Sequence, residues 1–234
     1  MVKIRYFRLR LPATANLAIL GVRASESPVE NRILALSISS QELILRFTTI
    51  RHVRTVQYAA DGTEIPTMVA TMEQHAIRLF SSDFLTYLAI VDPPRGDRLV
   101  SDLLTRLMPH EQFFVEALEL TPATIERHIS FFESAKLVSA KVRDFQIYEK
   151  AVARLEVTSK EGLPKEMAPF LRDKFYRVEL LTFEVTHQFS KGLVSYFANG
   201  SIKVSTPLVE VAFKSFEEQL NSYVTNAAPD ISSG

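Results

Sequence analysis

The sequence predicts an α+β protein built from antiparallel sheets backed by helices. Three observations carry this. Residues 176–189 and 193–205 read as two long strands, the second holding Asn199-Gly200, a pair that readily takes the positive φ of a tight turn or bulge. Residues 207–224 place Val209, Phe213, Phe216, Leu220 and Tyr223 at steps of 4, 3, 4 and 3, one apolar stripe at helical period. From Thr121 onward the order is helix, two strands, helix, two strands, helix, which suggests a duplicated helix-plus-hairpin unit. A helix backed onto one face of an antiparallel sheet leaves the other face to solvent or to a partner.

The remaining elements follow in order. Residues 1–11 form a first strand. Pro28 breaks the next stretch, and a helix is expected over 29–37. Residues 42–47 and 51–58 read as strands, Asp61-Gly62 as a turn, and 67–72 as a strand pairing back. Residues 75–80 and 84–91 form a hairpin across Ser81-Ser82-Asp83. Asp92-Pro93-Pro94-Arg95-Gly96 is a loop, and 97–107 a helix with Leu99, Leu103, Leu104 and Leu107 on one side. That loop marks the expected boundary between a strand-rich subdomain (1–96) and an α+β domain (97–225), followed by a small, polar, flexible tail (226–234). Residues 113–120 are a strand. Thr121-Pro122 starts a helix well, since Thr caps and Pro fits the first turn; Ile125, Ile129 and Phe132 supply its buried face. Residues 136–148 and 151–158 make a further strand pair, and 164–175 a short helix.

Composition narrows the function classes. With 234 residues the chain can bury a proper core. It has no cysteine, which removes disulfides, thiolate nucleophiles and cysteine-based metal sites, and suits a reducing cytoplasm. The opening MVKIRYFRLR alternates charge rather than beginning an apolar run, so no signal peptide is expected. No stretch approaches the length of a membrane span. The net charge is zero, but residues 1–54 carry nine Lys and Arg against three acids, a local surplus of six. Such asymmetry marks either an anion-facing surface or a segment that pairs with acidic neighbours.

Motifs for catalysis are absent. None of His52, His75, His110, His128 and His187 lies three or four residues from another, so helical metal-ligand pairing is missing. There is no phosphate loop, no dinucleotide glycine fingerprint and no nucleophile elbow. Glu116, Glu119 and Asp144 are the carboxylates a metal nuclease would recruit, although 116 and 119 point to opposite faces of a strand. The best binding candidates are cations on paired strands: Lys136, Lys141 and Arg143 on one, Arg154 on its neighbour, Lys150 between and Lys160 beyond, with Arg95 and Arg98 in and after the Pro/Gly loop. Long cations on a sheet face track a phosphate backbone without reading bases. Glu133, Asp144, Glu149, Glu156 and Glu161 are interspersed, which is equally the pattern of a mixed solvated face.

The run HAIRLFSSDFLTYLAIVDPPRGDRLVSDLL, continued by FFVEALELTPATIERHISFFESAKLVSAKVRD, resembles the RexA-like and KwaB-like phage-exclusion and antiphage defence proteins and, more remotely, RdgC-like DNA-binding proteins. The likeness lies in element order and spacing over about half the chain. It implies a cytoplasmic, non-enzymatic, homodimeric protein that binds double-stranded DNA with little sequence preference in an antiphage system. It carries over no catalytic residue, cofactor or metal. The alternative expectation is a protein-interaction subunit working with a second defence or toxin protein.

Overall fold

The computed structural model describes residues 1–26, 32–81, 85–148, 151–159, 161–162 and 177–222. These hold eleven strands, four α-helices and one short 3-10 turn. In chain order they are β1 (Val2–Arg10), α1 (Leu17–Glu26), β2 (Ile33–Ile38), β3 (Glu42–Tyr58), β4 (Glu64–Ser81), β5 (Thr86–Val91), α2 (Arg98–Leu107) and β6 (Phe114–Ala117). There follow α3 (Pro122–Ile129), β7 (Ser134–Tyr148), β8 (Ala151–Thr158), β9 (Arg177–His187), β10 (Ser190–Phe197), β11 (Ser201–Val204) and α4 (Val209–Ser222). The protein is α+β, with antiparallel strand pairing. Two compact units divide it: Met1–Arg8, Ser82–Leu85 and Val115–Gly234 in the first, Leu9–Ser81 and Thr86–Phe114 in the second. The Pro/Gly loop at 92–97 therefore lies inside the second unit.

In the first unit the strands run in the order β1-β11-β10-β9-β7-β8, with β6 on β1. Alternation sends Val194, Tyr196, Ile202, Val204 and Val185 to one face, where they are buried with Leu208, Ala212, Phe213, Phe216 and Leu220 of the C-terminal helical segment. Thr121 caps α3 as its sequence predicts, its side chain accepting from the Thr124 amide at 3.2 Å. The strand expected over 193–205 is two strands, folded back at Asn199-Gly200. Gly200 has φ +77°, and a Cβ there would stand 2.5 Å from the Leu118 carbonyl oxygen and 2.8 Å from that of Tyr6. Only glycine lets three backbone segments meet at that point. The expected helix at 164–175, and with it the proposed duplication, lies outside the described residues.

In the second unit the strand order is β2-β3-β4-β5. Leu43, Leu45 and Phe47 of β3 and Ile77 and Leu79 of β4 are buried on one face with Leu17, Leu20 and Ala24 of α1. Gly21 admits this close packing: a Cβ there would lie 2.6 Å from Ile38 Cγ2. Arg23 fastens α1 to the segment after α2, with two hydrogen bonds to Glu111 (2.8 and 3.1 Å) and one to the Leu107 carbonyl. Two expectations are corrected here. Ile33–Ile38 is a strand, not part of a helix over 29–37, because pairing with 43–47 on β3 overrides local propensity. The helix lies earlier, where Asn16 caps it by accepting from the Ile19 amide at 2.9 Å. The separate short strands expected over 42–58 and 64–81 are two continuous ones, paired rung for rung from Glu42↔Phe80 to Tyr58↔Glu64.

Candidate nucleic-acid interface

The strand register of the first unit sorts its charges by face. Ala140 and Val142 of β7 are buried on the side of α3 and α4, so Ser139, Lys141 and Arg143 point the other way. A register shift between Leu137 and Ser139 brings Lys136 to that same open face, opposite Glu184. Arg177 pairs with Arg143, and Lys141 with Glu156; Arg154 lies two residues from Glu156 on the same side of β8. Lys191 follows on β10, and Lys203 sits opposite Lys3 where β11 meets β1, with Arg5 two residues on. Among the described residues this side of the sheet thus gathers nine cations: Lys3, Lys136, Lys141, Arg143, Arg154, Arg177, Lys191 and Lys203, and Arg5, which is buried and donates its Nε to the Asn199 carbonyl at 3.0 Å. Four carboxylates reach it (Asp144, Glu156, Glu179 and Glu184), a positive surplus of five.

The pairings are specific. Lys141 Nζ lies 2.5 Å from Glu156, Arg154 2.6 Å from Glu179, Lys191 2.9 Å from Glu184 and Arg177 3.6 Å from Asp144. These are exposed or half-exposed pairs, each contributing on the order of 0–1 kcal/mol, so a polyanion can compete for the cations. Arg143 is exposed and makes no ion pair among the described residues. The stem of Lys136 runs against Gly162, where a Cβ would approach Lys136 Cε to 2.2 Å at φ +91°. At the β1–β11 end, Lys3 is held below the ordinary lysine value, first by partial burial and then by repulsion from Arg5 and Lys203. Phe197 lies beneath its ammonium at 4.9 Å, and Phe7 beneath the Arg5 guanidinium at 4.7 Å.

Of the sequence candidates, Lys136, Lys141, Arg143 and Arg154 come together on this face. Lys150 and Lys160 lie outside the described residues. Arg95 and Arg98 are exposed in the other unit, Arg98 standing 3.8 Å from Asp102 one helical turn on. Sequence reasoning missed Arg177, Lys191 and Lys203 as members of the face. Only the pairing of β1 with β11, residues about 200 apart in the chain, brings Lys3 and Lys203 together.

The most chemistry-like cluster lies on the opposite side. His128 of α3 is 1% exposed, with Nε2 2.9 Å from both the Ala212 carbonyl and Ser215 Oγ, and Nδ1 2.7 Å from Tyr196 Oη. A carbonyl only accepts, so Nε2 carries the proton and Nδ1 accepts from the Tyr196 hydroxyl. Ser215 sends its own hydroxyl to Ala212 at 3.1 Å. The imidazole is therefore not a base toward the serine. Burial among Phe132, Tyr196 and Phe216 lowers the His128 pKa to about 4. This group bolts α3 to α4 and β10. Of the three carboxylates a metal nuclease would recruit, Glu116, Glu119 and Asp144, the first is paired with Arg8 and the last with Arg177. No group of three His, Asp or Glu side chains among the described residues is placed to hold a metal ion. No helix among them is long and apolar enough to cross a membrane.

No protein-family model and no curated protein sequence matches the chain.

Proposed function

We propose that this chain binds double-stranded DNA without sequence preference, through the open face of the β1-β11-β10-β9-β7-β8 sheet. The observation that carries the reading is the surplus of five positive charges on that face in a chain whose net charge is zero. Cations set on a regular ladder meet phosphates by position and charge, and the described residues of the face form no convergent donor and acceptor set of the kind that reading base edges requires. A homodimer and a role in antiphage defence are the biological setting we propose, and the resemblance of residues 75–143 supports them.

A gel shift of labelled duplex, with and without Mg²⁺, tests the reading. A shift that leaves the DNA intact in both conditions supports it. Degradation that requires Mg²⁺ and stops with EDTA replaces it with a nuclease. A second reading, a subunit that docks on another protein of the same system, is favoured by the acid partners of Lys141, Arg154 and Lys191, which make the face a mosaic of both signs. It predicts no shift even at low salt and co-purification of a defined partner.

A further inference from the structure

On the helix-covered side of the first unit's sheet, opposite the cationic face, the end of the β9–β10 hairpin and the start of α4 line a cavity of about 300 Å³. Alternation sets the place. His187 follows Val185 on the buried side of β9 and pairs with Ser190 of β10. Gly192 lets the chain after β11 close over β10, since a Cβ there would stand 2.6 Å from Ser205 Cβ and 3.0 Å from Leu208 Cδ1. The hairpin wall is held in shape from two sides. The Gln188 amide, at a backbone φ of +52°, donates to Glu133 at 2.8 Å, and the His187 ring stacks on Phe131 at 5.0 Å and 19°.

The polar groups of this cavity are uncommitted. His187 makes no hydrogen bond among the described residues, and its Nδ1 is buried, a state that is costly for a polar nitrogen. Glu210 and Lys214 line the cavity from α4, one helical turn apart. Glutamate followed by lysine four residues on is the favoured pairing order on a helix. These two nevertheless make no ion pair, with each other or with any other described residue.

We infer that the cavity is a binding site for a free α-amino acid with an apolar side chain. A ligand of single charge is attracted by one of Glu210 and Lys214 and repelled by the other, whereas a zwitterion meets both. The ammonium and carboxylate of an α-amino acid share one carbon, so together they span two side chains one turn apart. The carboxylate goes to Lys214 Nζ and the ammonium to Glu210. The Ser190 hydroxyl and the His187 ring supply further hydrogen bonds, and Leu208 and Val211 the apolar wall for the side chain. The volume lies at the lower end of small-molecule sites, which suits a ligand of this size.

The inference does not depend on DNA binding and is tested without DNA, by NMR titration of the whole chain with L-leucine. The ring signals of the five histidines are the readout, that of His187 being the one His187→Gln removes. The His187 signal is expected to move, with a dissociation constant of about 1 mM or tighter for so small a ligand. Two probes that each keep one charge, 4-methylpentanoate (leucine without its amine) and 3-methylbutylamine (leucine without its carboxylate), are expected to bind at least about tenfold more weakly. Lys214→Met and Glu210→Gln are each expected to weaken leucine binding by at least about tenfold. Both positions are exposed, and unchanged thermal melts of the variants confirm folding. A His187 signal that stays in place up to about 10 mM leucine, an analogue that binds as tightly as leucine, or full affinity in either variant would overturn the inference.

Discussion

The open face of the first unit's sheet and the two-stranded ribbon of residues 48–58 and 64–74 in the second are both exposed β surface, made of opposite materials. The face has its backbone tied into neighbouring strands and its side chains charged, with Lys141, Arg143 and Arg177 standing on rungs that β8, β7 and β9 complete. The ribbon carries Met68, Met72 and Tyr58 on rungs that no third strand among the described residues flanks. A flanked ladder keeps its shape while presenting charge, which suits a stiff polyanion. An unflanked ribbon with apolar side chains gains by burying them against protein. The same strand shows what decides between core and surface: Leu45 and Phe47 are buried where β2 and α1 cover β3, and Val53, further along on the same face, is 36% exposed.

Exchanging the charge on the face should separate the two surfaces most sharply. Lys141→Glu with Arg143→Glu replaces two cations by two acids beside Glu156 and Asp144, and is expected to reduce duplex affinity by more than 100-fold while leaving the sedimentation of the chain unchanged. Retained binding in a folded double variant would remove the assignment. Next in size is the contrast along β3. Leu45→Ala should cost about 2–5 kcal/mol in urea unfolding, the usual range for a buried leucine, and Val56→Ala less than about 0.5 kcal/mol.

The His128 bolt gives a pH signature. Its folded pKa of about 4 lies below the unfolded value of 6.5, so in that window the unfolded chain binds the proton and the folded chain does not. Its stabilisation is complete above pH 6.5 and is lost progressively as pH falls toward 4, by up to roughly 3 kcal/mol. His128→Gln should flatten the dependence of urea stability on pH across this window; an unchanged slope would show that the histidine does not carry it. The smallest effect is local. Gly162→Ala places a methyl against the Lys136 stem at a positive φ, and should weaken duplex binding only a few-fold.

Much of the fold was legible because local signals and tertiary demands agree. Leu99, Leu103, Leu104 and Leu107 lie on the buried side of α2, and Thr121-Pro122 starts α3. The start of α1 was equally available in Asn16 followed by Leu17, Leu20 and Ala24, a cap and an apolar stripe left unread behind Pro28. The continuity of β3 was available in Thr48-Thr49-Ile50, a β-branched run without a turn residue between the two short strands expected there. For the candidate face, Lys141 and Arg143 share a side by simple alternation. Lys136 joins them only through the shift between Leu137 and Ser139, which no periodicity announces. The acid partners Glu156 and Glu179 depend on register as well.

The central claim rests on phosphate contact, and the salt dependence of duplex affinity tests it most directly. With about five phosphates neutralised, the slope of log affinity against log salt should be about −4.5, a loss of roughly 500-fold between 50 and 200 mM. A slope near zero, or no binding at 50 mM, would contradict the claim.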